Sequence, residues 1–156
     1  MAQDYIMRLT QQVVAMLAAI IAKRRAGQVE DAKQDLATLC RQNVGLNLDT
    51  VKQLSPDALA AQLTSSGALR YPRSVMLAEF LIQDAEIHEE QGQPQQALPN
   101  YIHAFCLLSD AIAFLTRDEQ DVYRPKLEEL ATKLEQLPPN PYTSERLRAY
   151  RTTTVA

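Results

Sequence analysis

Glycine is scarce in this chain: its 156 residues include only Gly27, Gly45, Gly67 and Gly92. All four fall where a run of helical apolar spacing stops, so none is left for a loop that cradles phosphate. Neither a G-x-S-x-G turn nor a Walker pattern occurs. Cysteine is rarer still. Cys40 and Cys106 stand in no CxxC or zinc-ligand spacing, and each lies in an apolar helical stretch. They read as small buried hydrophobes in a reducing compartment. A basic surplus is missing too: net charge is −3 and the pI is near 5.4. That argues against a nucleic-acid binder, whose affinity rests on Lys and Arg neutralising phosphates, and against a basic helix lying on a membrane. The longest uninterrupted apolar run, Val13 to Ala22, has ten residues. It is too short to span a bilayer, and Lys23, Arg24 and Arg25 follow it instead of a small-residue cleavage site. The expectation is a core helix in a cytoplasmic protein with no membrane partner. No segment alternates apolar with polar residues, so no sheet is predicted.

What is present is helical spacing. Hydrophobic residues make up 46% of the chain and charged residues 22%, enough for one domain with a self-sufficient core. Ile6, Leu9, Val13, Leu17 and Ile20 step by three and four, with Met7, Val14, Ala18 and Ile21 as a second stripe beside them. Gly27 stops this helix. A second runs from about Val29 to Gln42. Asp49 is a candidate cap for a short helix through Leu54, and Ser55-Pro56 for another through Leu63; residues 64–67 read as a loop. Pro72 opens the next helix, which Gly92 closes. A long helix is predicted from Pro94 or Gln95 to Leu115. A last one holds Leu127, Leu130, Leu134 and Leu137, with Pro125 either starting it or kinking a longer helix from near Asp118. The predicted fold is all-α. Residues 1–137 form a single helical domain, and residues 138–156 a Pro-rich linker and a polar tail with one or two helical turns around Ser144 to Tyr150.

Two stretches repeat: Gly27-Gln28-Val29-Glu30-Asp31-Ala32 and Gly92-Gln93-Pro94-Gln95-Gln96-Ala97 share G-Q-x-x-x-A, sixty-five positions apart. Glycine ends one helix, and a small residue five positions on lets the next pack closely. With Ala85, Gly92, Ala97, Tyr101 and Ala104, the second copy resembles the helix pair of the tetratricopeptide repeat. The first copy matches at Gly27 and Ala32, with Leu36 in the aromatic's place. The pattern is departed from at Leu81, Asp84 and Ser109. Asp4-Tyr5-Ile6-Met7-Arg8 is similar to the start of a family of small bacterial all-helical proteins, which implies a fold and no function. The repeat resemblance implies antiparallel helical hairpins in a tetratricopeptide-like stack; an irregular helical bundle is the other arrangement. It also implies a concave face made by the first helix of each pair: Glu79, Ile82, Glu86, Glu89 and Glu90 in the second copy, Val14, Leu17, Ile21, Arg24 and Arg25 in the first. The acidic strip would suit a basic peptide, and the apolar one a partner helix or a second copy. The plainer reading of Glu86, Glu89 and Glu90 is a solvated helix face.

Chemistry-bearing residues are few. His88 and His103 flank the Gly92 turn, and with Asp84 they could form a His/carboxylate metal site; two partly exposed, hydrogen-bonded histidines are the plainer reading. Arg146, Arg148, Tyr150 and Arg151 interleave base and aromatic, as an acidic partner or nucleic acid would require, although such a tail is ordinarily frayed. With no catalytic motif and no cofactor expected, the sequence points to a non-enzymatic protein–protein interaction module. Its partner is another protein or peptide. The two apolar stripes of the first helix suggest a homodimer formed through Leu17 and Ile21. The alternative is a metal- or small-ligand-binding helical protein.

Overall fold

A computed structural model describes the backbone of residues 2–64, 70–138, 141 and 143–155, and their side chains from residue 11 onward, apart from 64, 70–72 and 153–155. The described residues form eight α-helices and no strand: α1 (Ala2–Arg25), α2 (Val29–Asn43), α3 (Leu48–Gln53), α4 (Pro56–Thr64), α5 (Arg70–Glu90), α6 (Pro94–Ala111), α7 (Arg117–Glu135) and α8 (Ser144–Val155). The all-α fold class is thus met. A short 3₁₀ turn, Ile112–Phe114, follows α6.

The repeated G-Q-x-x-x-A strings build the same turn twice. Gly27 and Gly92 take φ of +81° and +74°, the left-handed conformation that closes a helix. In each copy the following glutamine N–H reaches back across the helix end, Gln28 to the Lys23 carbonyl at 2.9 Å and Gln93 to that of His88 at 2.8 Å. Ala32 and Ala97, five residues on, are fully buried, so the returning helix lies close. Contacts then run in opposite order along the two helices of each pair. Asn43 meets Met16 while Asp35 meets Lys23; Asn100 meets Leu81 and Asp84 while Gln93 meets His88. α1/α2 and α5/α6 are therefore antiparallel hairpins.

α5 is the central helix, packing on α1, α2, α4 and α6. Its burial runs right round, from Val75, Leu77 and Ala78 through Phe80 and Leu81 to Ala85 and Ile87. The 21 residues Pro94–Phe114 are long and apolar enough to cross a membrane by length and composition, but here α6 spends that surface on α5, α4 and α7. α7 joins α5 through Glu79–Lys126 and Glu89–Lys133. Both numbers rise together, so α5 and α7 run parallel.

Several boundaries differ from expectation. Asn47, not Asp49, caps α3 by accepting from the Asp49 N–H at 3.0 Å, whereas Ser55 caps α4 as expected, its Oγ accepting from the Ala58 N–H at 3.1 Å. α5 begins at Arg70, so Pro72 lies within its first turn instead of opening it. α6 stops at Ala111, short of Leu115. Residues 65–67 of the expected loop lie outside the described residues. α7 is one helix from Arg117: Thr116 and Glu119 form a reciprocal capping box, and Pro125 is interior. Pro125 and Asp121 are both exposed, so water can serve the Asp121 carbonyl that loses its helical donor.

The C-terminal segment is an ordered helix docked on the bundle, not a frayed tail. Tyr150 stacks edge-on against Phe105, with centroids 6.1 Å apart. Arg146 pairs with Asp110 at 3.5 Å, and Arg151 with Glu128 and Glu135. As the α8 number rises the α6 number falls, so α8 lies antiparallel to α6.

Candidate docking groove

Three helices frame a groove of about 340 Å³ floored in part by α6. α1 supplies Ile21; α5 supplies Glu79, Ile82, Gln83 and Glu86; α7 supplies Lys126, Glu129, Leu130 and Lys133; Tyr101 of α6 lies beneath. The volume is at the low end for small-molecule pockets, room for a few side chains of a partner. The groove continues to the ends of α1 and α5, where Arg24, Arg25, Glu86 and Glu90 line it.

The acidic strip is not free. Glu79, only 3% exposed, is bonded to Lys126 of α7. Glu89 accepts from Lys133 at 3.2 Å. Arg24 reaches from α1 to α5, donating to Gln83 Oε1 at 2.5 Å, to Glu86 at 3.0 Å and to Glu90. Burial works against the Arg24 charge, yet the hydrogen bonds to Glu90 and Glu86 outweigh it and raise its pKa. At Glu89, burial likewise favours the neutral form, but hydrogen bonds from Tyr101 and Lys133 hold the carboxyl below its ordinary value. Every carboxylate of the strip thus has a cation from within the chain, and the excess of negative charge expected to attract a basic peptide is largely neutralised. The apolar strip also divides. Leu17 is 5% exposed and belongs to the core with Val13 and Ile20, because that side of α1 faces α2 and α5. Val14 is 57% exposed, Ile21 half-buried and Arg25 exposed.

Of the candidate metal ligands, the fold joins two and turns the third away. Asp84 Oδ2 lies 3.3 Å from His88 Nε2. The same oxygen receives Lys52 Nζ of α3 at 2.5 Å and Asn100 Nδ2 at 2.6 Å. His88 Nδ1 meets Gln93 Oε1 at 3.1 Å. His103 and His88 are buried, not partly exposed; His103 Nδ1 lies 2.7 Å from the Pro99 carbonyl and its Nε2 2.6 Å from that of Leu54, so both ring nitrogens face backbone. Among the described residues no group of three His, Cys, Asp or Glu side chains could hold a metal ion. Lys52 went unnoticed in the sequence. The usable signal was Asp84 itself, which shares an apolar line with Leu77 and Leu81: a carboxylate on a core face requires a cation. Cys40 stands close to this junction, its thiol pushed up to about 12 by burial and then by the Asp84 charge. Cys106 is pushed up to about 11, chiefly by burial. Neither is a poised nucleophile.

No protein-family model, curated protein or solved structure matches this chain. Its function has to be argued from its own residues.

Proposed function

We propose that the chain is a non-enzymatic protein-interaction module whose docking surface is the α1/α5/α7 groove. One observation carries the reading: Ile21, Ile82 and Leu130 line an open groove most of whose rim charges, Glu79, Glu86, Glu89 and Glu90 with Lys126, Arg24 and Lys133, are already paired within the chain. Such a surface offers apolar contact with little unpaired charge to desolvate, which suits the apolar face of a partner helix. The tetratricopeptide-like stack is supported by two identical glycine turns and by the parallel course of α5 and α7. Against a regular stack stand α3 and α4, packed on α5 and α6, and α8, which reverses against α6. The metal-binding alternative draws support only from the Asp84–His88 pair.

The test is site-specific photocrosslinking in the native cells, with the reactive group at Ile82 or, as a control, at the 49%-exposed Val122 of α7. The expected outcome is one polypeptide captured from Ile82 and absent from Val122. Equal capture at both positions, or none at Ile82, would refute the groove.

A further inference from the structure

We infer that a second copy of this chain docks on the outer side of α1, as an antiparallel helix pair centred on Ala18. α1 packs principally on α2 and α5, and Val13, Leu17 and Ile20 face those neighbours. Its remaining surface, with Val14, Ala15, Ala18 and Ala22 exposed, is covered by nothing among the described residues. The far end of the molecule is treated differently. There α8 covers α6 and α7 with Tyr150, Leu147 and the Arg151 pairs. Stacked helical units have a polar or capped outer face where they meet water; α8 supplies such a cover on α6 and α7, and among the described residues the outer side of α1 has no counterpart.

Charge selects the occupant. From Thr10 to Ala22 the sequence carries no ionisable side chain. A nucleic acid, an anionic lipid surface or a charged peptide gains nothing from such a face and loses hydration on it. A copy of the same face meets it without any like-charge contact, as a twofold interface requires. Antiparallel pairing also sets the macrodipole of each α1 against the other's opposite end. With Ala18 on the axis, Val14 of each copy lies opposite Ala22 of the other and Arg25 opposite Gln11, so the charged end of α1 falls beside an uncharged amide. The alanines allow the axes to approach to about 8 Å. This places the contact on Val14, Ala18 and Ala22, and not on Leu17, which the core already holds. This contact borders the groove, since Val14 and Ala18 share a stripe with Ile21 and Arg25 lines the groove's end.

Light scattering on the untagged full chain, from low to high micromolar concentration, is the first measurement. The expected mass is twice the 17.5 kDa of one chain, falling to one chain in Ala18→Glu and in Val14→Glu, with helical circular dichroism retained since both positions are exposed. Ala18→Cys should cross-link to itself under mild oxidation, because the position meets its own copy on the axis, whereas Gln95→Cys on α6 should not. A wild-type monomer throughout, or a dimer that survives Ala18→Glu, overturns the proposal. Failure of Ala18→Cys to cross-link within a dimer overturns the antiparallel register. Capture from Ile82 is read on the Ala18→Glu variant as well, so loss of the dimer and loss of the groove partner are seen separately.

Discussion

Take away the carboxylate of Asp84 and three groups lose their common acceptor: the Lys52 ammonium, the Asn100 amide and, at 3.3 Å, the His88 ring. Asp84 and Asn100 are buried, and Lys52 is three-quarters covered, so water replaces the lost partner poorly. Asp84→Ala is expected to lower unfolding stability by about 3 kcal/mol, the usual result of stranding one member of a buried pair. The double variant Lys52→Met, Asp84→Leu should recover most of that loss, because it removes both charges at once. Urea denaturation of the two proteins checks this; equal losses would show that the junction matters for its shape and not for its charges. Half of this was legible in the sequence. An aspartate in line with Leu77 and Leu81 announces a buried acid, but nothing in the short segment around Lys52 announces which cation answers it.

At the scale of elements, α8 is tied to its neighbours by several ion pairs, from Arg146 to Asp57 and Asp110 and from Arg151 to Glu128 and Glu135. Arg151 hydrogen-bonds Glu135 and Glu128, and those bonds hold both carboxyls below their ordinary range. A carboxyl with a lowered folded-state pKa stabilises above the unfolded value, about 4.3, and that contribution disappears as pH falls through the lower folded value. Acidification is therefore expected to release α8 before the core opens. Hydrogen exchange should show amides 144–152 losing protection below the carboxylate range while amides 75–87 keep theirs. The variant Arg151→Met should show the same loss at neutral pH. Protection of α8 that is indifferent to pH would mean that Tyr150 on Phe105 and the Leu147 contact hold it alone. The basic and aromatic alternation of this segment was visible in the sequence, but its acceptors lie more than fifteen residues away on α7, beyond the reach of local pattern.

For the molecule as a whole, one core links α1 through α7, with Leu147 and Tyr150 of α8 packed on it, so the two glycine-turn hairpins should not unfold separately. Cys40 in α2 and Cys106 in α6 report on one hairpin each. Burial and their raised pKa values make both silent towards thiol reagents at mildly alkaline pH in the native state. In a urea series both are expected to become reactive at the midpoint of the circular dichroism transition. Exposure of Cys40 ahead of Cys106 would show that the α1/α2 hairpin opens on its own. The sequence by itself determined the helices, the glycine turns and the hairpins, because periodicity, caps and left-handed glycines act within a few residues. It also marked Val14 and Ile21 as apolar without showing that they stay accessible while Leu17 does not. Only the tertiary structure decided that the glutamates of α5 are matched by Arg24, Lys126 and Lys133, that His103 turns to Leu54 and away from His88, and that α8 covers α6 and α7 while, among the described residues, the outer side of α1 stays exposed. Those outcomes depend on which helices come to lie side by side. Helices far apart in the chain meet through packing of the whole core, and local spacing carries no record of that.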